Sequence, residues 1–236
     1  MMQIKSKHTI GSIVFFLGIF IGLTLAIAAI WADFEGLSYY YTGATYAQFN
    51  GLHCPVLMTR SETGIITATF NNPGNQVYEP YYEMEIGGLL PRNFEDQLSI
   101  PPHTAKSVKW TVDAHDIDLG FFIFAKLDTL PDAIYPPREA TCGIVVLNIP
   151  GLSGNQIFWL FLALTLLGLF IGIMLWENAN KPLTGNELNQ TNAMRALAIL
   201  VLLTMFVGFM GWWGPGIILC AVTLLFMVVM LRFAFK

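Results

Sequence analysis

The densest group of side chains that could do chemistry lies in the sequence DAHDID, residues 113–118. Its members Asp113, His115, Asp116 and Asp118 offer carboxylate oxygens and an imidazole ring. Calcium takes six to eight oxygen ligands and accepts carboxylates of this kind, but the segment lacks the glycine and the distal glutamate of a calcium-binding loop. An acidic turn between two strands accounts for the same residues, so these four are weak metal candidates and we predict no metal site.

The cysteines predict one structural bond. Cys54 and Cys142 lie near the two ends of a region of short, strand-like runs, whereas Cys220 lies in a long apolar run. If that region is extracytoplasmic, its compartment is oxidising and a Cys54–Cys142 disulfide is expected. Closing so long a loop would contribute about 4 kcal/mol in the chain-entropy model. The alternative, a reactive or metal-binding thiol pair, has no CxxC spacing and only His53 nearby.

Motifs of the common enzyme classes are missing from the sequence. We find no Gly-x-Ser-x-Gly elbow, phosphate-binding loop, His-Glu-x-x-His motif or paired catalytic residues. We therefore expect no enzymatic activity and no cofactor. No basic patch with interleaved aromatic residues occurs either, which argues against a nucleic-acid partner.

The elements that position these residues belong to an apolar chain. Of its 236 residues, 55% are hydrophobic and 12% are charged, against roughly 25% charged residues in soluble domains. A helix needs about 20 apolar residues to cross the hydrocarbon core of a bilayer. The uncharged stretches predict four membrane spans, with the sequence GWWGPG as the turn between the last two. The spans are residues 10–31, 156–176, 194–211 and 215–233.

The distribution of charge predicts the orientation of these spans. Residues 33–154 carry 14 acidic and 6 basic residues, and the remainder of the chain carries 2 acidic and 6 basic ones. Lys and Arg in short flanks tend to stay in the cytoplasm. We therefore predict a plasma-membrane protein with residues 33–154 outside. The N-terminus (1–9), the loop 177–193 and the C-terminus (234–236) are then cytoplasmic.

Tryptophans are expected to anchor the spans, because amphipathic rings favour the headgroup layer. Five of the six lie at predicted span ends: Trp31, Trp159, Trp176, Trp212 and Trp213. An alternative for the first span is a cleaved signal peptide, since Ala26-Ile27-Ala28 resembles a cleavage site. The apolar run exceeds the usual length of about 7 to 15 residues for such a peptide, which favours the uncleaved helix.

Small residues recur at helical spacing within the spans. Gly18 and Gly22 are four residues apart in the first span, and Gly168 and Gly172 in the second. Such stripes let helices approach closely, either within the chain or with a partner, and the sequence does not choose between these. Charged residues occur only at span ends, so a transport path through this chain alone is not expected.

Between the first two spans the pattern changes to short runs rich in β-branched and aromatic residues. Six such runs are separated by turn sequences rich in Gly, Pro and Asn. This spacing predicts an antiparallel β-sandwich inserted between helices 1 and 2. The runs are residues 64–70, 78–86, 94–100, 106–113, 120–127 and 142–149.

Two of these segments carry a resemblance. LSIPPHTAKSVKWTVDA resembles the strand, proline turn and aromatic strand of immunoglobulin-like modules in prokaryotic membrane and surface proteins. DIDLGFFIF is similar to the Asp-x-Gly-x-Tyr corner of immunoglobulin domains, but Phe122 stands where the tyrosine would make its hydrogen bond. The resemblance implies an immunoglobulin-like sandwich and assigns no activity.

Tyrosine-rich segments at 33–46 and 77–85 could form a protein-binding surface or pack in the core. From these observations we hypothesise a non-enzymatic integral membrane protein. It would act as an accessory, assembly or scaffold subunit, with the lipid bilayer and other membrane proteins, or further copies of itself, as partners. The alternative is a sensory or transport-associated protein whose β-sandwich binds a ligand.

Overall fold

The computed structural model of the chain describes residues 2–40, 47–88, 90–130 and 136–234. Two residues of the predicted tyrosine surface, Tyr41 and Tyr46, lie outside this part. The chain forms two compact units. A helical unit contains residues 1–30 and 157–236, and a β-sheet unit contains residues 31–156.

In the part of the chain that the structure describes, four helices are long and apolar enough to cross a membrane, as the composition predicts. They are α1 (Met2–Tyr40), α2 (Gly154–Ala179), α3 (Asn186–Phe209) and α4 (Trp213–Ala234). Among the described residues, nine strands follow α1 and precede α2 in the chain.

The helices extend beyond the apolar runs. Helix α1 continues past Trp31 to Tyr40, and α3 begins at Asn186 within the polar segment 177–193. The reason is that backbone hydrogen bonding continues into polar sequence, whereas the hydropathy signal ends with the apolar residues. Pro215 lies in the first turn of α4, where its missing N–H removes no helical hydrogen bond.

In the helical unit, glycines bring α1 and α2 into close contact. A Cβ atom added to Gly168 would lie 2.7 Å from the Cα of Gly18, and one added to Gly172 would lie 2.6 Å from the Cα of Phe15. Gly22 lies against Thr165 of α2 and Val201 of α3. The small-residue stripes therefore serve contacts within the chain.

A hydrogen bond in the helical unit joins two buried threonines. The hydroxyls of Thr204 in α3 and Thr223 in α4 are 3.1 Å apart, and each also lies within hydrogen-bond distance of a carbonyl four residues earlier in its own helix. Since a hydroxyl has one proton, one threonine donates to the other, and the second donates to the carbonyl of its own helix. Such local bonds satisfy a hydroxyl in apolar surroundings.

The strands of the other unit form two sheets. Their bounds are β1 (Ala47–Gln48), β2 (Leu52–His53), β3 (Leu57–Thr59), β4 (Gly64–Asn71), β5 (Tyr81–Ile86), β6 (Arg92–Gln97), β7 (Ala105–Val112), β8 (Phe122–Thr129) and β9 (Arg138–Leu147). The larger sheet has the order β1-β9-β8-β5-β6, with β3 also paired to β9, and the smaller has the order β2-β4-β7. The six predicted runs correspond to β4 through β9.

The expectation of a purely antiparallel sandwich is wrong in one respect. Strands β1 and β3 both pair with β9 in parallel. They are two and three residues long, which is too short for the alternating pattern that identifies a strand in sequence.

One core lies between the two sheets and is built by side chains from both. Ile66 and Phe70 from β4 and Trp110 from β7 share it with Met84 from β5 and Ile144 from β9. The alternation in KSVKWTV, residues 106–112, predicts that Trp110 and Val112 share the inner face of their strand, and both are buried in β7.

The predicted disulfide is present. Cys54, between β2 and β3, is bonded to Cys142 in β9, with 6.5 Å between the two Cα atoms and a sequence separation of 88.

Candidate functional site

The outer face of the larger sheet is covered in part by the end of α1. Gly143, on this face of the sheet, lies against the backbone of Ala32. A Cβ atom added to Gly143 would overlap the Ala32 carbonyl. Gly36 lies against the backbone of Cys142, and the amide of Gly143 donates to the Asp33 carboxylate at 3.2 Å. Residues 31–40 thus lie directly on β9.

Aromatic rings and one hydroxyl complete this contact. Tyr39 stacks on Phe124 with 5.5 Å between ring centroids, and Trp31 meets Phe122 at 5.8 Å. The Tyr40 hydroxyl donates to the Gly87 carbonyl at 2.7 Å. Strand β8 is therefore buried on both faces, by the core on one side and by α1 on the other. Phe122, which the resemblance compares with a corner tyrosine, packs against Trp31.

Asp33 is the titratable group at the centre of this contact. Burial raises the pKa of its carboxyl to about 7, although the hydrogen bond from Gly143 acts in the opposite direction. The residue follows the apolar span 10–31 and belongs to the β-sheet unit. Its charge is thus sensitive to pH near neutrality.

Next to this contact, four carboxylates form a row across the larger sheet. Glu95 of β6 lies opposite Glu83 of β5, Glu83 opposite Asp128 of β8, and Asp128 opposite Glu139 of β9. We call these four residues the acidic row. Each is at least partly exposed. Like charges directly opposite one another destabilise a sheet, so this arrangement costs stability.

Lys126 forms an ion pair with one member of the acidic row. Its ammonium pairs with the Asp128 carboxylate at 2.7 Å. Burial lowers the pKa of Lys126, but the hydrogen bond and charge of Asp128, with Glu139 and Glu85, shift it upward overall. The Tyr81 hydroxyl bonds the Glu95 carboxylate, which raises the pKa of that hydroxyl. Among the ion pairs of the described residues, the pair of Lys126 with Asp128 is the one that involves the row, so one ammonium faces four carboxylates.

The spacing of the row fits an extended cationic partner better than a single ion. Neighbouring strands lie about 4.8 Å apart, so four strands spread the carboxylates over roughly 14 Å. Among the described residues, no three His, Cys, Asp or Glu side chains converge as a metal site would require. Lys and Arg side chains of a protein are suited to such a row.

The weak metal candidates have structural partners. Asp113 and Asp116 form a capping box around the short 3-10 helix Ala114–Asp116. Asp116 also binds Arg92 through both oxygens at 2.7 Å. His115 contacts Asp113, and Asp118 accepts the amide of Gly88. These contacts account for the acidic turn without a metal.

The predicted interface tryptophans divide into two groups. Trp31, Trp159 and Trp212 are about half exposed, which suits rings at a membrane surface. Trp176 is only 2% exposed and lies 5.5 Å from the ring of His8. Because Gly11 brings α1 close to the backbone of Trp176, its ring packs between helices instead. Trp213 is partly exposed.

The predicted tyrosine surface is divided as well. Tyr78 and Tyr82 are buried in the core, whereas Tyr39 and Tyr81 remain partly exposed on the β-sheet unit.

Sequence reasoning missed the acidic row. The alternation in YEMEI puts Glu83 and Glu85 on the face opposite Met84, which was a usable signal. The pairing that aligns Glu95, Asp128 and Glu139 is non-local, so no short stretch of sequence contains it.

Comparison with known proteins identifies no family. No protein-family model and no curated protein matches the chain. Among solved structures, a cycloisomaltooligosaccharide glucanotransferase from Paenibacillus sp. is 16% identical over 42% of this chain, with a TM-score of 0.32. The match covers 14% of that enzyme.

Two further structures show the same level of likeness. The CARDB domain of a Pyrococcus furiosus protein, in complex with di-metal ions, is 13% identical over 46% of this chain and 98% of that domain, with a TM-score of 0.33. A β-glucosidase from Listeria innocua is 8% identical over 40% of this chain and 15% of its own, with a TM-score of 0.28. At these identities and TM-scores the likenesses carry no conclusion about activity.

Proposed function

We propose that the chain is a non-enzymatic, multi-pass membrane protein that acts as an accessory or scaffold subunit, with the acidic row as its binding surface. The observation that carries this proposal is the row itself. Four aligned carboxylates with one neighbouring lysine cost stability, and a partner with basic side chains would offset that cost.

We further propose that the sandwich is of the immunoglobulin type. In that fold, strands B and E belong to one sheet and strands C, F and G to the other. Here β4 and β7 share the smaller sheet, and β5, β8 and β9 share the larger one. Taken in chain order, β4, β5, β7, β8 and β9 fit positions B, C, E, F and G.

The proposed location is the plasma membrane, with both termini in the cytoplasm and residues 33–154 outside. Two features support it: the excess of acidic residues in the β-sheet unit, and the six basic residues outside it.

The test is recovery of the partner from the native membrane. The full chain is purified in gentle detergent after treatment with a reagent that couples carboxylates to amines. We expect cross-links from Glu83, Glu95, Asp128 or Glu139 to lysines of one stoichiometric protein. We expect the Glu83→Gln/Glu139→Gln variant to lose most of that protein, and increasing salt to weaken its retention.

A matched control removes two charges elsewhere. Glu79 is exposed outside the named strands, and Glu187 lies in the first turn of α3. The Glu79→Gln/Glu187→Gln variant should retain the partner. Equal recovery by both variants, or a chain that purifies alone, would contradict the proposal.

A further inference from the structure

One end of the β-sheet unit exposes several large apolar side chains. Trp31 is 50% exposed, Leu119 is 59% exposed and Phe121 is 44% exposed. Ile149 and Leu152, in the segment between β9 and α2, are also exposed. We call these five residues the apolar rim. Single exposed apolar residues are common on proteins, but a group at one end of a domain indicates an interaction surface.

Contacts connect Trp31 and Phe121 of the rim to each other and to the end of β9. The rings of Trp31 and Phe121 are 6.3 Å apart. The Phe121 carbonyl accepts the amide of Val146 at 2.8 Å, near the end of β9. The rim therefore joins the end of α1, the turn 118–122 and the end of β9.

Arg60 lies at the same end. Its guanidinium donates to the Gly120 carbonyl at 2.6 Å, and its amide donates to the Leu147 carbonyl at 3.2 Å. Arg60 is exposed. A guanidinium has five N–H donors, so Arg60 can hold this turn and still present donors to a phosphate.

The start of α2 is attached here too. Glu62, two residues after Arg60, accepts the amide of Gly154 through both carboxylate oxygens, at 2.9 and 3.1 Å. Ser153 and Gln156 complete this helix start with a reciprocal capping box. Leu152 is thus two residues before a helix apolar enough to cross a membrane.

The turn that carries Leu119 and Phe121 has an unusual backbone. Leu119 has φ of 50° and Gly120 has φ of 81°. Positive φ is uncommon for a residue as bulky as leucine, and in water the exposed Leu119 side chain gains little burial in return. An apolar environment outside the chain would supply that burial.

We propose that the apolar rim inserts into the headgroup region of the bilayer, with Arg60 directed to lipid phosphates. A lipid surface is favoured over a protein partner because the rim is continuous with a predicted membrane span. Trp31 is the last residue of the apolar span 10–31, and its ring contacts Phe121. Aromatic rings and arginine are residue types that favour this layer. This inference concerns apolar side chains and an arginine, whereas the proposed function concerns carboxylates, and it does not depend on the acidic row.

The test places a fluorescent probe at the rim in the full chain. Cys220 is the free cysteine of the described residues, so Cys220→Ala provides the background, with the Cys54–Cys142 disulfide intact. Leu119→Cys and Phe121→Cys are labelled separately with a polarity-sensitive dye. Each protein is reconstituted into phosphatidylcholine vesicles that contain nitroxide-headgroup phosphatidylcholine.

The control position is Val77, which is 51% exposed in the segment between β4 and β5. This segment follows the end of β4 that is remote from Gly64 and Arg60. We expect lipid quenching to be several-fold stronger at positions 119 and 121 than at 77, and iodide quenching to be weaker. Equal lipid quenching at the three positions, with free access of iodide to 119 and 121, would overturn the proposal.

Discussion

Helix α1 contacts its neighbours in two different ways along its length. In residues 8–30 it approaches α2 through glycine, with Gly18 against the backbone of Gly168. In residues 31–40 it lies on the larger sheet, where Gly143 of β9 allows the close approach. Hydrogen bonds and stacked rings add to this second contact.

The difference follows from the surroundings of the two parts. Between membrane helices there is no hydrophobic gain from leaving lipid, so close backbone packing drives association. On the β-sheet unit, burying Phe122 and Phe124 removes apolar area from water, and the polar groups that are buried with them need partners. Asp33 and Tyr40 are such groups, and each has a hydrogen-bond partner on the β-sheet unit.

The largest effect is expected at Gly143. In the Gly143→Val variant the new side chain would overlap the Ala32 backbone, which cannot move while residues 31–40 remain on the sheet. We expect a loss of about 3 kcal/mol or more and faster hydrogen exchange in residues 31–40. Thr141→Ala, two residues earlier on the same face, is the control. Unchanged exchange in the valine variant would show that the helix end does not depend on this approach.

A smaller loss is expected in the helical unit. In Gly168→Leu the added atoms would meet the backbone of Gly18, and α1 and α2 would separate at a cost of about 1–3 kcal/mol. The measurement is the midpoint of thermal unfolding in detergent. Gly214→Leu in α4 is the matched control, because no atom lies within 4 Å of a Cβ atom there. Equal midpoints for the two variants would show that Gly168 does not contribute to the packing of α1 on α2.

A third effect depends on pH and arises in residues 31–40 of α1, where Asp33 lies. The native pKa of Asp33 is about 7, and its ordinary value is 3.8. Between these values the native state retains a proton that the unfolded chain has released. Stability therefore decreases as pH rises from about 4 to 7, and it levels off above that range.

Asp33→Asn removes this dependence. Asparagine keeps an oxygen for the Gly143 amide and cannot ionise. At pH 8 the variant should be more stable than the natural protein by at most about 4 kcal/mol, the value of the full shift, and at pH 4 the two should be similar. Thermal unfolding of both proteins across this range, followed by tryptophan fluorescence, measures the effect. Parallel pH profiles for the two proteins would mean that Asp33 is already solvated in the native state.

Some contacts were accessible from the sequence and others were not. The pairing of Cys54 with Cys142 followed from their positions at the two ends of the strand region, and the buried face of Trp110 followed from alternation. The strands β1 and β3 are too short to show a pattern, and their parallel pairing with β9 depends on residues about 90 positions away. Trp176 shows that a ring at the end of an apolar run can belong to a helix interface instead of the lipid surface.

By itself, the sequence determined the four apolar helices, the six longer strands and the disulfide, because hydropathy, alternation and cysteine position are local properties of the chain. Only the tertiary structure decided that residues 31–40 lie on the larger sheet, that four carboxylates form one row, and that Gly18 meets Gly168. These features depend on strand register and on close backbone approach between distant segments. Neither the register nor the close approach can be read from composition or periodicity.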